Sequence, residues 1–288
     1  MEKPDNIQRA GAVLPGITDK MESLRNILSE MGSILIAYSG GTDSTFLLKA
    51  ALDSLAGDRV LAVTASSETR AEKEILSAAG TARELGARHI VTETRELEDE
   101  RFVSNTPMRC YYCKKELFRK LSGLAGEYGM AYVAVGSNLD DLDDFRPGTR
   151  AAVEEGVRSP LVEACFRKAE IREMSRKMGL PTWDKPASPC LATRFPYGAR
   201  ITREELARVT RAEEFLSGFG FRQLRVRVHG DTARIEAARG DTRIFFRKEA
   251  REKIVAGLKA LGYIYVAVDL EGYRMGSMNE PVEKRGRF

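Results

Sequence analysis

The sequence predicts an α/β fold, a doubly wound parallel sheet, followed by a smaller C-terminal α+β domain. Three short apolar runs at 34–38, 59–65 and 88–92 alternate with helix-like segments at 42–51 and 71–85. This alternation is typical of parallel strands joined by right-handed helical crossovers. After residue 202 the order changes to helix, two strands, helix and strand, which indicates a separate small unit.

The remaining elements follow from local patterns. A helix at 21–31 carries Met21, Leu24 and Leu28 at helical spacing and leads into the strand at 34–38. The first part continues with an irregular segment at 96–108, helices at 114–128 and 168–178, and a buried strand at 130–135. The second part is predicted to hold helices at 202–216 and 248–261 and strands at 224–228, 233–237 and 263–269.

Three prolines indicate where the domain boundary lies. Pro186, Pro189 and Pro196 interrupt the segment 182–196, which has no helical or strand periodicity. The predicted domains are therefore residues 1–195 and 196–288. We expect residues 1–17 to form a loose leader and the tail after Met275 to be mobile.

Composition is typical of a soluble globular protein. The 288 residues are 31% charged and 43% hydrophobic. No apolar run approaches the roughly 20 residues of a membrane helix. The polar N-terminus carries Glu2 and Asp5 and does not resemble a signal peptide, so we expect a cytoplasmic protein without membrane contact. Residues 196–288 carry 19 Lys and Arg against 13 Asp and Glu, an excess suited to a phosphorylated ligand or to a solvated surface.

The first candidate site follows the strand at 34–38. Two glycines permit a tight turn, and the following helix N-terminus offers free N–H groups and a dipole to an anion. Asp43 or Ser44 would cap this helix, and Asp43 would also position Mg²⁺ beside phosphates. The pattern lacks the Gly-Lys-Ser/Thr of a Walker A loop, and an ordinary strand-to-helix turn is the alternative. The phosphate-binding residues predicted here are Ser39, Gly40, Gly41, Thr42, Asp43 and Ser44.

Other nucleotide contacts are expected at the ends of neighbouring strands. Val63 and Thr64 lie where a doubly wound fold would place adenine, and Gly136 would face the same crevice. Arg146 is a candidate phosphate clamp through its bidentate guanidinium. The alternative for Arg146 is a surface ion pair with the acidic run at 140–144.

Three cysteines form the second candidate site. Cys110 and Cys113 have the spacing of two thiolates on one metal or cluster, and Cys190 lies 77 residues further on. Three thiolates suit a 4Fe–4S cluster with one open iron better than a closed structural zinc site. Alternatively Cys190 is a nucleophile, with its pKa lowered by Arg194, and the pair is a redox couple; a third possibility is three unrelated buried thiols. Cys165 is expected to be a small core residue.

A strand with alternating arginines forms the third candidate site. Alternation puts Arg225, Arg227 and His229 on one face of a half-exposed strand, which would bind an anion. Together with Glu213 this face would make a polar site for a phosphorylated substrate; a solvent-facing strand is the alternative. Lys114, directly after the cysteine pair, would reach a phosphate or else be an exposed helix lysine.

These motifs, taken in order, carry a family resemblance. The 39–44 pattern resembles the PP-loop of ATP pyrophosphatases. The ordered set resembles the ATP-dependent sacrificial sulfur transferases of the LarE type over almost the whole chain. The segments that carry it are 39–44, 109–114, 136–138, 144–148, 158–161, 189–194 and 225–230.

The resemblance implies a reaction. An enzyme of this type adenylates a carboxylate of pyridinium-3,5-biscarboxylic acid mononucleotide with ATP and Mg²⁺, and sulfur then displaces AMP, during synthesis of the nickel-pincer nucleotide cofactor. In one branch a cysteine matching Cys190 gives up its sulfur; in another, three cysteines hold a 4Fe–4S cluster, and Cys110 and Cys113 favour that branch here. The resemblance also implies a catalytic role for Cys190, Asp43 and Lys114, and a homo-oligomer.

By the same resemblance, the substrate phosphate is expected at Glu213, Arg225 and Arg227, with Arg194 beside them.

Rival functions remain open at this point. The main one is a PP-loop tRNA thiolation enzyme with a three-cysteine cluster, although no added RNA-binding module or dense basic stretch is present. A nucleotide- or metal-binding regulator and an amide-forming synthetase are the others. The sequence does not identify the sulfur donor.

Overall fold

The computed structural model describes residues 16–142, 147–274 and 276–280. Its larger sheet has four parallel strands in the order β3-β2-β1-β4. Chain order reverses between β1 and β4, which is where open α/β sheets bind ligands. The predicted doubly wound parallel sheet is confirmed. Its strands are β1 (Ile34–Ala37), β2 (Val60–Ser66), β3 (Arg88–Glu93) and β4 (Tyr132–Val135).

Helices cover this sheet and connect its strands. The first three are α1 (Ile17–Met31), α2 (Thr42–Ser54) and α3 (Glu72–Glu84). The next three are α4 (Glu100–Val103), α5 (Arg109–Glu127) and α6 (Pro147–Glu154). The last two are α7 (Pro160–Glu163) and α8 (Lys168–Lys177). Two cores lie against the sheet: one joins α1, α2 and α8 to it, and the other joins α5 and α6. In the described part of the chain, no helix has both the length and the apolar character needed to cross a membrane.

A second sheet of three strands forms the C-terminal part, with the predicted α+β composition. Strands β5 and β6 are antiparallel, and β7 pairs in parallel with β6. The elements are α9 (Arg203–Ser217), β5 (Leu224–His229), β6 (Thr232–Ala237), α10 (Lys248–Ala260) and β7 (Tyr265–Val268). Its core also takes in Phe102, Val103, Leu191 and Phe195 from before residue 196, so side chains from both parts share one core. The boundary at 195/196 stays a prediction.

Three predicted helix starts differ from the structure. Helix α1 begins at Ile17, four residues before the predicted start. Helix α2 is capped by Gly41, not by Asp43 or Ser44, because the Ser44 hydroxyl instead donates to the Gly41 carbonyl at 3.2 Å. Helix α5 begins at Arg109, five residues before the predicted start, since no residue after Pro107 opposes helix formation. Cys110 and Cys113 therefore lie in the first and second turns of α5.

Two further expectations are wrong. Cys165 is exposed, with a positive φ of 58°, and is not a core residue. The segment 276–280 is not loose, because Ser277 is buried and its hydroxyl donates to Glu236 at 2.9 Å. The rest of the predicted mobile tail, 281–288, and most of the predicted leader lie outside the described residues.

Candidate active site

A cavity of about 330 Å³ lies between the phosphate loop and the Cys190 segment. Residues from both predicted domains line it, although they are up to 186 positions apart in the chain. Six of the predicted site residues meet there: Ser39, Lys114, Cys190, Arg194, Glu213 and Arg225. The arrangement places an anion-binding loop and a thiol around one space.

Close packing fixes the phosphate loop. Gly40 has φ +69°, and a Cβ there would lie 2.6 Å from the Ala78 Cβ, so only glycine fits. A Cβ on Gly136 would lie 2.9 Å from the backbone nitrogen of Ser44. The end of β4 thus approaches the N-terminus of α2 at a distance that only glycine permits. The hydroxyls of Ser39 and Ser44 are 3.0 Å apart and close the loop.

Asp43 offers a carboxylate oxygen without a partner. Lys168 Nζ donates to Asp43 Oδ2, while Oδ1 is buried and has no hydrogen-bond partner among the described residues. Burial raises the pKa of Asp43, and Lys168 partly offsets the effect. A buried, unpartnered carboxylate oxygen is suited to a hard cation such as Mg²⁺.

The predicted adenine contacts have buried side chains. Val63 and Thr64 are both buried, and β2 runs on to Ser66. Thr64 Oγ1 donates to the Tyr38 carbonyl at 2.9 Å, which leaves it to accept from His89 Nε2 at 2.8 Å. The strand ends one residue beyond the predicted end at 65, and two residues beyond Thr64. Arg146 lies outside the described residues.

The three cysteines come near one another, on two elements. Cys113 in α5 and Cys190, which caps the 3₁₀ helix Leu191–Arg194, both pack against the C-terminal core, whereas Cys110 is exposed. Burial raises the pKa of the Cys113 and Cys190 thiols, and a negative charge at Cys110 would raise both further. Within the described ranges, no three Cys, His, Asp or Glu side chains are arranged to hold a metal ion.

Arginines hold the segment that carries Cys190. Arg194 Nη1 donates to the carbonyls of Pro189 and Cys190, at 2.9 and 3.3 Å. Arg227 Nη1 donates to the Thr193 carbonyl at 3.0 Å. Arg225 Nη2 donates to the Ala187 carbonyl at 2.7 Å. These guanidinium groups therefore position the main chain from 187 to 193.

The arginine strand is more buried than predicted. Arg227 is 5% exposed and pairs with the fully buried Glu236 at 2.7 Å, so the half-exposed strand and its solvent-facing alternative are both wrong at this residue. His229 is exposed, as expected for the strand end. Glu213 faces Arg194 and also accepts from the backbone N–H of Val226 at 3.0 Å. A carboxylate in this position organises the arginines around it.

Three cationic side chains that contact the phosphate loop were not predicted from the sequence. Arg70 Nη2 donates to the Ser39 carbonyl at 2.9 Å, Lys185 Nζ to the Gly40 carbonyl at 3.1 Å, and Lys168 pairs with Asp43. The polar run after β2 is a signal that could have indicated Arg70. For Lys168 and Lys185 the sequence carries no such signal, because their contacts span 125 and 145 residues.

Comparison with known proteins supplies the family. No family model matches the chain. An uncharacterized protein of Synechocystis sp. is 43% identical over 268 residues, covering 93% of this chain and all of that protein. The pyridinium-3,5-bisthiocarboxylic acid mononucleotide synthase of Lactiplantibacillus plantarum is 40% identical over 271 residues, covering 93% of this chain and 96% of that protein.

The chain belongs to the pyridinium-3,5-bisthiocarboxylic acid mononucleotide synthase family. This membership confirms the family resemblance and the prediction of an enzyme. The tRNA-specific 2-thiouridylase MnmA of Xanthobacter autotrophicus is 32% identical over 195 residues, covering 54% of this chain and 49% of that protein. This partial match agrees with the predicted PP-loop fold of the family's nucleotide-binding part.

Proposed function

We propose that the chain is an ATP-dependent sulfurtransferase. It adenylates a carboxylate of pyridinium-3,5-biscarboxylic acid mononucleotide, and sulfur then displaces AMP from the adenylate. The observation that carries the proposal is the single cavity lined by both Ser39 and Cys190. Activation of a carboxylate and delivery of sulfur to it must take place within bonding distance, and one shared cavity meets that requirement.

The phosphate loop has the task of binding ATP. N–H groups at the start of α2 face the phosphates, and the close approach of Gly136 fixes the position of that helix. Asp43 would hold Mg²⁺ through its unpartnered Oδ1. The ion, when bound, would offset the charge of the phosphates. Lys168 occupies the other oxygen and would hold the carboxylate in place.

The mononucleotide binds on the other side of the cavity. Lys114 and Arg225 line the cavity and form no ion pair with a described carboxylate, so they contact the substrate phosphate. Arg194 and Glu213 also line the cavity but pair with each other, and Arg227 pairs with Glu236, so these three residues hold the site in place and do not bind the phosphate directly. This division refines the predicted phosphate site, which treated all four residues as direct contacts.

The donor set of the cysteine site fits a cluster. Cys110 lies close enough that a negative charge on it would raise the pKa of both Cys113 and Cys190, although the three thiols come from two elements. A cluster separates its ligand sulfurs more widely than a single ion does. Cys110, Cys113 and Cys190 would therefore hold a 4Fe–4S cluster, which when bound would supply a sulfide for transfer.

The protein's own residues complete the reaction. The thiols of Cys113 and Cys190 are protonated when free, so metal loading must release protons from them. The Thr69 carbonyl accepts from the backbone N–H of Leu191, and the arginines hold the main chain around the Cys190 sulfur. The cavity walls keep the adenylate close to that sulfur, and limit its loss to water.

Product analysis after a single turnover tests the proposal. Anaerobically purified protein is mixed with MgATP and the pyridinium mononucleotide. We expect AMP, pyrophosphate and a thiocarboxylate product in equal amounts. Nucleotide cleavage that does not depend on the mononucleotide would contradict the proposal.

Iron and acid-labile sulfide assays test the cluster separately. We expect about four irons per chain. Changing Cys110, Cys113 or Cys190 to Ala should abolish iron binding, whereas Cys165→Ala, at an exposed cysteine, should not. Iron-free protein that turns over once and converts Cys190 to dehydroalanine would instead establish the sacrificial route.

Transfer of sulfur to tRNA is the second candidate, favoured by the MnmA match over 54% of the chain. It predicts tight binding of tRNA that weakens steeply as salt is raised. Thiolated tRNA as a product would establish it in place of the mononucleotide reaction.

A further inference from the structure

A short segment after β2 connects the two halves of the cavity. Arg70 Nη2 donates to the carbonyl of Ser39 in the phosphate loop, at 2.9 Å. The carbonyl of the preceding residue, Thr69, accepts from the backbone N–H of Leu191, the neighbour of Cys190, at 2.9 Å. Arg70 is therefore held between the phosphate loop and the cysteine, where nucleotide and sulfur must meet.

The guanidinium of Arg70 has unused donors facing the cavity. One of its five N–H groups is used on Ser39, and no described carboxylate forms an ion pair with it. Burial lowers the pKa of Arg70, although it remains a cation at neutral pH. Arg194, by contrast, forms an ion pair with Glu213. Glu74, the carboxylate that most favours the Arg70 charge, pairs with Lys185 at 3.2 Å. A partly buried cation that lines a cavity and has no ion pair of its own indicates a site for an anion.

We infer that Arg70 is a catalytic residue that binds the phosphate joining AMP to the activated carboxylate. The inference deepens the proposed function and rests on it. The phosphate of an acyl adenylate must lie between the nucleotide-binding loop and the attacking sulfur, and Arg70 is fixed between these two. Its planar donor fork matches two oxygens of a phosphate.

Arg70 would act mainly in the second step. A deprotonated sulfur forms a C–S bond to the carboxyl carbon, and the bond from that carbon to the phosphate oxygen breaks. The electron pair of the broken bond stays on the phosphate oxygen, so the charge of the AMP phosphate rises from one to two negative. A cation held against that phosphate stabilises the additional charge as it develops.

Nucleotide binding gives a test that does not depend on turnover. AMP and adenosine are titrated into the wild type and into Arg70→Met, Arg70→Lys and Lys73→Met by calorimetry. Lys73 is a matched control, because it lies three residues further on at the edge of the same cavity but is exposed, whereas Arg70 is partly buried against the phosphate loop. We expect Arg70→Met to weaken AMP binding at least tenfold and to leave adenosine binding unchanged. Arg70→Lys should recover part of the loss, and Lys73→Met should behave like the wild type.

Two kinetic measurements separate catalysis from support of the loop. Substrate-dependent exchange of labelled pyrophosphate into ATP reports adenylation, and single-turnover AMP release reports displacement. We expect Arg70→Met to slow AMP release by about a hundredfold and exchange by much less. Equal losses in both steps, without rescue by lysine, would show that Arg70 only holds Ser39 and would overturn the inference.

Other outcomes are equally decisive. Unchanged AMP affinity in Arg70→Met, or an equal loss in Lys73→Met, would also overturn the role of Arg70. A wild type without substrate-dependent exchange would instead contradict the proposed function itself.

Discussion

Arg194 holds Glu213 through two side-by-side hydrogen bonds, Nε to Oε1 and Nη2 to Oε2, each 2.9 Å long. The two side chains are 3% and 15% exposed, so water screens the pair little. The remaining nitrogen, Nη1, donates to the carbonyls of Pro189 and Cys190. The ion pair thus fixes the main chain of Cys190, which lines the cavity.

Removing Glu213 should release this segment. Glu213→Ala leaves the Arg194 charge buried without its partner, and we expect a loss of about 3 kcal/mol in the free energy of unfolding. The partly buried Cys190 should then react faster with iodoacetamide. Urea unfolding and mass spectrometry of the alkylated protein measure the two effects. Glu214→Ala is the control, since Glu214 lines the same cavity and is exposed; equal effects in both variants would refute the role of the pair.

Gly136 should tolerate no side chain. Its added Cβ would lie 2.9 Å from Ser44 N and 3.1 Å from the Asp43 carbonyl carbon, which are backbone atoms that cannot rotate away. We expect Gly136→Ala to cost about 1–3 kcal/mol of stability and to weaken ATP binding, because the start of α2 must shift. Calorimetric titration with MgATP checks the second effect.

The matched control is Gly123→Ala in α5. A Cβ at Gly123 meets no atom within 4 Å, so this variant should be neutral or slightly stabilising. ATP affinity that survives in Gly136→Ala would show that β4 does not fix the phosphate loop.

His89 should make stability depend on pH. Burial lowers its pKa in the folded protein, so folding favours the neutral ring. This contribution is complete above the unfolded pKa of about 6.5 and is lost as the pH falls below it towards the folded pKa. As the pH is lowered from about 7.5 to 5, we expect the free energy of unfolding of His89→Gln to fall less than that of the wild type. Urea midpoints across this range measure the difference, and parallel curves would contradict it.

Ser277 should stabilise a buried ion pair. Its hydroxyl donates to Glu236 Oε1 at 2.9 Å and accepts from Arg227 Nη2 at 3.1 Å. We expect Ser277→Ala to cost about 1–3 kcal/mol, because both partners are charged and buried. Ser217→Ala, at an exposed serine, should change stability little. A similar, small change in both variants would mean that the segment 276–280 adds nothing to the Arg227–Glu236 pair.

Much of the fold could be predicted from local patterns. Buried strands such as β1 are continuous apolar runs, and helices α3 and α8 end two residues before Gly86 and Gly179, so the order of elements follows from the sequence. The order of elements depends on residues whose environment is set by near neighbours in the chain. Six predicted site residues also meet in one cavity, but only Ser39 lies at the carboxyl end of a parallel strand, and the other five are brought there by the folded chain.

The features that could not be predicted from the sequence depend on long-range contacts. The alternation in β5 predicted an exposed arginine face, but the partners that bury Arg227 come from β6 and from Ser277, 50 residues later. Arg70 stands in a polar loop, where its position between two halves of a cavity is set only by the folded chain. No periodicity or spacing reports such contacts.

Comparison of the wild type with Cys190→Ala tests most directly whether the cavity joins activation to sulfur delivery. Both proteins are given MgATP and the pyridinium mononucleotide. The mass of the mononucleotide is then measured by mass spectrometry, and pyrophosphate exchange into ATP is assayed in parallel. We predict that both proteins exchange pyrophosphate and that only the wild type replaces a carboxylate oxygen with sulfur. A Cys190→Ala protein that still forms the thiocarboxylate would contradict the assignment of sulfur delivery to this cavity.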